Sequence, residues 1–484
     1  MKREILSLRH VCLSRDGEEQ LSEVTFSLYE GDVLGLISLD NQGLDALVEL
    51  VLHNRRLDRG HLFFAEKEVS SYLGCTAKEN KAAVVESVSH LIPALNLADM
   101  FFFAKKKGPL LVHRAKLNRQ IRMIFEPYGM KLTGAEYPDQ LSALDRCRVE
   151  IIKAKTFGCK VIVVREPSSF LSAGELACLH LLIRKLAAED GIACMYLCNH
   201  HREVMSVCSR LAVMYAGTVV LNKASAAVTE RMMSVVSEDF IKSITGLPRP
   251  AAPAAEPLAT IRGKNGFALT VFKGECLVLL DLDNKTIPRI ADALFARTPF
   301  AARRPEYRVF IDGTEAYRNP LLWSFIPAEP AGRTLFYDLS YIDNLTLKNS
   351  SRKLPHFWLF KRYRAHVCGE YRRIVGDVAE SGNLYQLGQR ELYELIYLRA
   401  GLERPKVLFI VQPFIGMGMY QRIRILEYIS QLRRAGITVV ILAVSLSDSL
   451  QAASRLILLQ DGRIEKELPP ERFDQAASYG LVVR

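Results

Sequence analysis

One short arrangement occurs twice in this chain, and the repeat restricts the fold more than any composition figure does. Gly31 leads into the apolar run Val33-Leu34-Gly35-Leu36-Ile37, then the loop Ser38-Leu39-Asp40-Asn41-Gln42-Gly43-Leu44-Asp45 and an apolar helical stretch. Gly274 leads into Cys276 to Leu280, then Asp281-Leu282-Asp283-Asn284-Lys285-Thr286-Ile287-Pro288. Strand, tight loop and helix is the layout of a phosphate-binding loop, whose pattern is G-x-x-x-x-G-K-[ST]. At its fixed positions this chain carries Ser38, Gly43, Leu44 and Asp45 in the first copy, and Asp281, Thr286, Ile287 and Pro288 in the second. The layout is kept while the residues that would hold phosphate and metal are replaced.

The repeat extends to whole domains. A length of 484 residues suits two domains of roughly 200–250 residues each. Prolines crowd the stretch Leu247 to Pro257, which reads as a semi-rigid linker, so the domains are expected at 1–246 and 258–484. On either side the same parts recur, offset by roughly 245 residues. Val161-Ile162-Val163-Val164 and Val407-Leu408-Phe409-Ile410 are short apolar runs between helical patterns, as central parallel strands are. Ile192 to Leu197 and Ile437 to Val444 give neighbouring strands, and Gly217 and Gly462 each punctuate a closing hairpin. Strands alternating with helices make each half an α/β domain.

Composition narrows the setting. Hydrophobic residues make up 49% and charged residues 24%, an ordinary globular mixture. No apolar run approaches the roughly 20 residues that span a bilayer, and the first residues carry no apolar signal region. Ten cysteines stand singly, as in a reducing compartment. Cys194 and Cys198 precede His200 and His201, but no second ligand pair follows at zinc-site spacing, so no metal is expected. The net charge of +11 favours acidic partners. Much of it lies at Lys105 to Arg119 and in the aromatic-laced stretch Arg352 to Arg364. Aromatics among cations suit stacked bases, yet no nucleic-acid-binding motif accompanies them.

Longer segments carry a resemblance. Ile92 to Asp99 resembles "IPNLSVAEN", and Leu335 to Leu347, reading "LFYDLSYIDNLTL", resembles "GLVLDLSVRENL". Arg148 to Ala154 matches "RVEIAKA", behind a degenerate signature loop at Leu141-Ser142-Ala143-Leu144-Asp145. Over nearly its whole length the chain resembles a fused pair of ATP-binding cassettes of the kind that energises bacterial ribose, galactose and xylose importers. The resemblance implies two tandem P-loop NTPase-like cassettes, each a mostly parallel central sheet with an antiparallel β subdomain. It also implies pairing of the cassettes within the chain, a membrane permease as partner, and a place at the inner face of the cell membrane.

The chemistry that the resemblance implies does not carry over. In such cassettes the loop lysine contacts the β- and γ-phosphates and the next Ser/Thr holds Mg²⁺. Leu44 and Ile287 cannot donate a hydrogen bond, and Pro288 lacks even its backbone N–H. Asp281 and Asp283 would face a triphosphate with like charge, costing on the order of 3 kcal/mol per pair at about 5 Å. That outweighs a neutral hydrogen bond of roughly 1 kcal/mol. The metal-binding Asp at the end of the central strand is Arg165 in one half and Val411 in the other, and the adjoining general-base position is Glu166 and Gln412. Ser87 stands at the sensing glutamine, and Asn199 or His200 at the switch histidine. The signature loops become Leu141 to Asp145 and Leu387-Gly388-Gln389-Arg390-Glu391.

Ser38, Asn41, Gly43, Leu44, Asp45, Asp281, Lys285, Thr286 and Ile287 are therefore the remnant nucleotide positions. Ser142 and Gly388 are remnants of the signature loops, and Glu166 is the retained acidic position. Conventional Mg·ATP hydrolysis is not expected and no cofactor is required. The expected function is a scaffold or regulator of a carbohydrate-type transport system. Two alternatives stand beside it: a weak ATPase relying on Lys285, and an anion- or nucleic-acid-binding regulator. Arg165, where a metal would sit, is expected to neutralise Asp40 or Asp45.

Overall fold

The computed structural model of the chain describes residues 2–15, 18–40, 42–76, 80–102, 114–198, 201–228, 256–263, 266–295, 306–353, 357–415, 417, 419–444 and 449–479. It divides into two compact units, one for each repeat. The expected linker lies outside the described residues except for Glu256 and Pro257.

In the first unit the strands are β1 (Glu4–Arg15), β2 (Glu18–Tyr29), β3 (Val33–Ser38), β4 (Arg59–Phe64), β5 (Lys67–Ser71), β6 (Ala82–Val85), β7 (Val161–Arg165), β8 (Ala193–Leu197), β9 (Arg210–Tyr215) and β10 (Thr218–Ala224). They form a four-stranded sheet, β2-β1-β4-β5, and a six-stranded sheet, β10-β9-β3-β8-β7-β6. β3 runs parallel to both β8 and β9, and β10 closes the edge as an antiparallel hairpin.

The second unit repeats this plan. Its strands are β11 (Pro257–Gly263), β12 (Ala268–Phe272), β13 (Cys276–Asp281), β14 (Tyr307–Ile311), β15 (Thr314–Glu315), β16 (Trp323–Ile326), β17 (Val407–Val411), β18 (Thr438–Ala443), β19 (Arg455–Gln460) and β20 (Arg463–Leu468). The sheets are β12-β11-β14-β15 and, read from its hairpin edge, β20-β19-β13-β18-β17-β16. Counterpart strands occupy the same positions, so the repeat seen in sequence is a repeat of topology.

The central strands are apolar up to their last residues because both faces are covered. Alternate residues go to opposite layers. Val163 and Met195 pack with helix Leu44–Leu52 and with Leu6, Leu8 and Phe26 of the antiparallel sheet. Val164 and Tyr196 pack with Ile151 and Ile183, from helices Ala143–Thr156 and Ala173–Asp190. Ser172 and Glu175 form a capping box at the start of the second of these helices, satisfying amides that the helix leaves unpaired. A separate helical cluster is built on Phe101, Ile121, Phe125 and Met130.

Each central strand is anchored by an ion pair at its start. Asp32 meets Arg210 at 3.2 Å and Glu275 meets Arg455 at 2.9 Å, joining the entry of β3 or β13 to the entry of β9 or β19. Gly31 precedes the first pair with φ 71°, and a Cβ there would lie 2.7 Å from the Ala187 carbonyl oxygen. A side chain cannot be fitted at that crossing.

Candidate functional site

The two degenerate loops emerge from the carboxyl ends of β3 and β13, where ligands of open α/β sheets bind. In the first, Ser38 is buried at the end of its strand. Asp40 folds back, its carboxylate accepting from the Gln42 amide at 3.1 Å and from the Ala216 amide in the β9–β10 turn at 2.9 Å. Gly43 takes φ 75° as the N-cap of helix Leu44–Leu52, and a Cβ on it would lie 2.1 Å from the Gln20 carbonyl oxygen. Leu44 points into the core. Asp45 pairs with Arg165 at 2.5 Å, while the other Arg165 nitrogen lies 3.8 Å from Glu86. Asp45 is thus the expected partner of Arg165; Asp40 is held by amides instead.

The second loop is closed by its own carboxylates. Asp281 is fully buried, and its Oδ2 accepts from the Thr286 and Ile287 amides at 2.6 and 2.8 Å. These amides open helix Thr286–Phe295, where an anion is favoured. Asp283 accepts from the Asp461 amide in the β19–β20 turn at 3.1 Å, as Asp40 does from Ala216. Lys285 lies 3.0 Å from Asp283 and 2.9 Å from Asp461, so the cation singled out in sequence is held between two carboxylates. Those partners raise its pKa above the ordinary lysine value. Thr286 and Ile287 are buried. Pro288 sits in the first helical turn, where a missing N–H does no harm.

Beyond β7 and β17 the chain makes the same constrained turn. Glu166 and Gln412 have φ of 47° and 44°, and their amides reach the Leu197 and Leu442 carbonyls at 2.7 and 2.9 Å. Holding a non-glycine residue there costs on the order of 1 kcal/mol. Glu166 is buried. Ser142 caps helix Ala143–Thr156 by accepting from the Asp145 amide at 3.1 Å. Gly388 caps helix Gln389–Glu403, with the Glu391 carboxylate folded close over it. Asn41, Asn199 and His200 lie outside the described residues.

Sequence reasoning missed Glu86, Ala216 and Asp461. The Asp461-Gly462 turn was visible as a hairpin signal, but its reach to the loop required the sheet order. Much of the basic aromatic stretch falls among residues whose side chains are not described; Arg364, at its end, pairs with Asp343 at 2.9 Å. Cys194 is wholly enclosed, and burial pushes its thiol up to about 12, so it is an inert thiol at neutral pH.

No protein-family model matches the chain. It is 25% identical to a ribose import ATP-binding protein of Rhodococcus jostii, over 97% of this chain and 96% of that protein. A ribose import ATP-binding protein of Rubrobacter xylanophilus matches at 23% identity over 99% of this chain and 98% of its own length. Over nearly its whole length the chain thus resembles the ATP-binding proteins of carbohydrate importers, and the resemblance spans both repeats. Among solved structures, a component of an ABC transporter complex from Clostridium perfringens matches 51% of this chain and 97% of its own, at 17% identity and a TM-score of 0.41. Among the described residues, no helix is long and apolar enough to cross a membrane.

Proposed function

We propose that this tandem cassette protein is a non-hydrolytic member of a carbohydrate-type import system, serving as scaffold or regulator for a membrane permease at the inner membrane face. The relatives are ribose import ATP-binding proteins, which supports the system class. The observation that carries the non-hydrolytic reading is the Arg165–Asp45 pair. By family position these are the two residues that would hold Mg²⁺: the strand-end aspartate and the loop Ser/Thr. Here one is a cation, the other its counterion, and they bind each other.

The residues present do not fit Mg·ATP. A fixed guanidinium repels a divalent ion, Leu44 and Ile287 offer no phosphate donor, and Asp281 already accepts from the amides of its loop. No catalytic step is drawn through the nucleotide. For the weak-ATPase alternative, Lys285 would have to leave both Asp283 and Asp461. The test is thermal melting of the full chain with and without millimolar Mg·ATP, alongside phosphate release. A ligand at 100 times its Kd stabilises by about 2.7 kcal/mol. No shift and no release are expected. A clear shift with release that Lys285→Ala abolishes would replace this reading with the ATPase one.

A further inference from the structure

We propose that Asp281 and Asp283 share one proton, and that this proton latches the second loop shut between its own helix amides and the β19–β20 turn. The geometry poses a problem that a proton solves. Asp281 is completely enclosed, with Oδ2 committed to the Thr286 and Ile287 amides. Its other oxygen, Oδ1, is buried, as is Oδ1 of Asp283, and neither has a hydrogen-bond donor among the described residues. The two carboxyl groups lie within hydrogen-bonding reach of each other. Ionised carboxylates only accept, so two facing oxygens repel unless one carries hydrogen. With a proton on Asp281, its O–H donates to Asp283, and the remaining oxygen still accepts from both amides.

The surroundings decide which residue holds the proton. Asp283 is partly open to water and is held by Lys285 and the Asp461 amide. Burial works against its charge, but the hydrogen bonds from Asp281 and Lys285 keep its carboxyl below the usual range. Asp281 has no cation of its own, and burial with the neighbouring carboxyl pushes it up to about 6. The other charged or titratable groups facing the pair are few. Asp461 comes from the turn, and Tyr307 on β14 faces Thr286. Arg289 on the helix is engaged with Glu306 at 2.7 Å. β19 sets Leu459 beside Asp281, and β18 sets Ala443 beside the preceding Leu280.

A carboxyl with a raised folded pKa binds its proton more tightly when folded. Its contribution to stability is therefore complete below the unfolded value, near 3.8, and is lost as pH rises through about 6. The pair titrates as a unit. The loop is then firm in mild acid and strained in mild alkali, and an internal carboxyl occupies the amides that an anion would seek. This inference is independent of whether the protein hydrolyses ATP, since a proton pair can exist in either case.

The test follows thermal melting of the full chain from about pH 5 to about pH 8, for wild type, Asp281→Asn and Asp283→Asn. Asparagine at 281 keeps an acceptor for the amides and gives Asp283 a permanent donor. Asp281→Asn is expected to melt level with wild type in mild acid and above it in mild alkali, the difference growing through about pH 6. Infrared spectra of wild type in mild acid should show a protonated carboxyl stretch that both variants lack. Parallel melting curves, or no such band, overturn the proposal. Should Asp281→Asn fail to fold, Asp283→Asn and the wild-type infrared titration decide it.

Discussion

The two degenerate loops share a frame and differ in what fills it. In each, the third residue ties the loop to the closing hairpin: Asp40 to the Ala216 amide and Asp283 to the Asp461 amide. In each unit the strand leading into the loop starts at a buried ion pair, and a constrained turn follows β7 or β17. What differs is the position that lost its chemistry. The first loop keeps Gly43 and sets Asp45 in a salt bridge with Arg165. The second has Thr286 in place of the glycine, holds Lys285 between Asp283 and Asp461, and places a carboxyl on the amides that open its helix. The corresponding loops of one repeated fold are thus filled in two chemically unrelated ways, while the parts that hold the sheets together stayed alike.

The largest expected effect tests whether the shared frame is equally strong in both copies. Arg455→Met leaves Glu275, which is wholly buried, without its counterion and should cost about 3–5 kcal/mol. Arg210→Met should cost less, because Asp32 keeps Lys2 at 3.0 Å. Urea denaturation of the two variants side by side would reveal the difference, and equal losses would break the comparison.

Next is the glycine. Gly43→Ala forces a Cβ against the Gln20 carbonyl in a left-handed turn and should cost on the order of 2 kcal/mol. Thr286→Ala, at the matching position in the second loop, removes no such freedom and should lower the melting temperature less.

A smaller, sharper test transfers one loop's character to the other. Ser38→Asp places a carboxyl beside Asp40 at the position Asp281 holds beside Asp283. Burial of that charge should lower stability by about 1–3 kcal/mol at neutral pH. A buried carboxyl regains its proton in acid, so the loss should shrink as pH falls, as read from melting curves at several pH values. A loss that did not vary with pH would mean the two loops differ by more than this residue.

The smallest effect belongs to the salt bridge. Asp45 is largely exposed, so Asp45→Asn should cost no more than about 1 kcal/mol, and less at high salt. A loss well above that would show Arg165 to be more dependent on Asp45 than its exposure implies.

Much of the frame was legible. Apolar runs of strand length, glycine-led entries and hairpin turns repeated at a nearly constant offset, and the central sheet of each half follows from them, whereas the antiparallel sheet was implied only by the family resemblance. The arrangement inside the loops was less accessible. Arg165 was expected to neutralise Asp40 or Asp45, and the choice fell on Asp45 because the Gln42 and Ala216 amides had already engaged Asp40. Asp281 read in sequence as a charge facing an incoming phosphate; in the folded loop it accepts from residues five and six positions ahead. Glu86 gave no local signal and Asp461 only that of a hairpin turn, since each meets its partner through strands that are neighbours in the sheet and distant in the chain.

The sequence by itself determined the duplication, the α/β class and the departure of both loops from the G-x-x-x-x-G-K-[ST] pattern. These follow from residue identity and short-range periodicity, which require no knowledge of contacts. Only the tertiary structure decided what fills the two loops: a guanidinium paired across the sheet edge in one loop, and a buried carboxyl on helix amides in the other. The physical reason is that hydrogen bonds and ion pairs depend on where donors and acceptors converge, and convergence is set by strand order and loop closure rather than by neighbourhood in the chain.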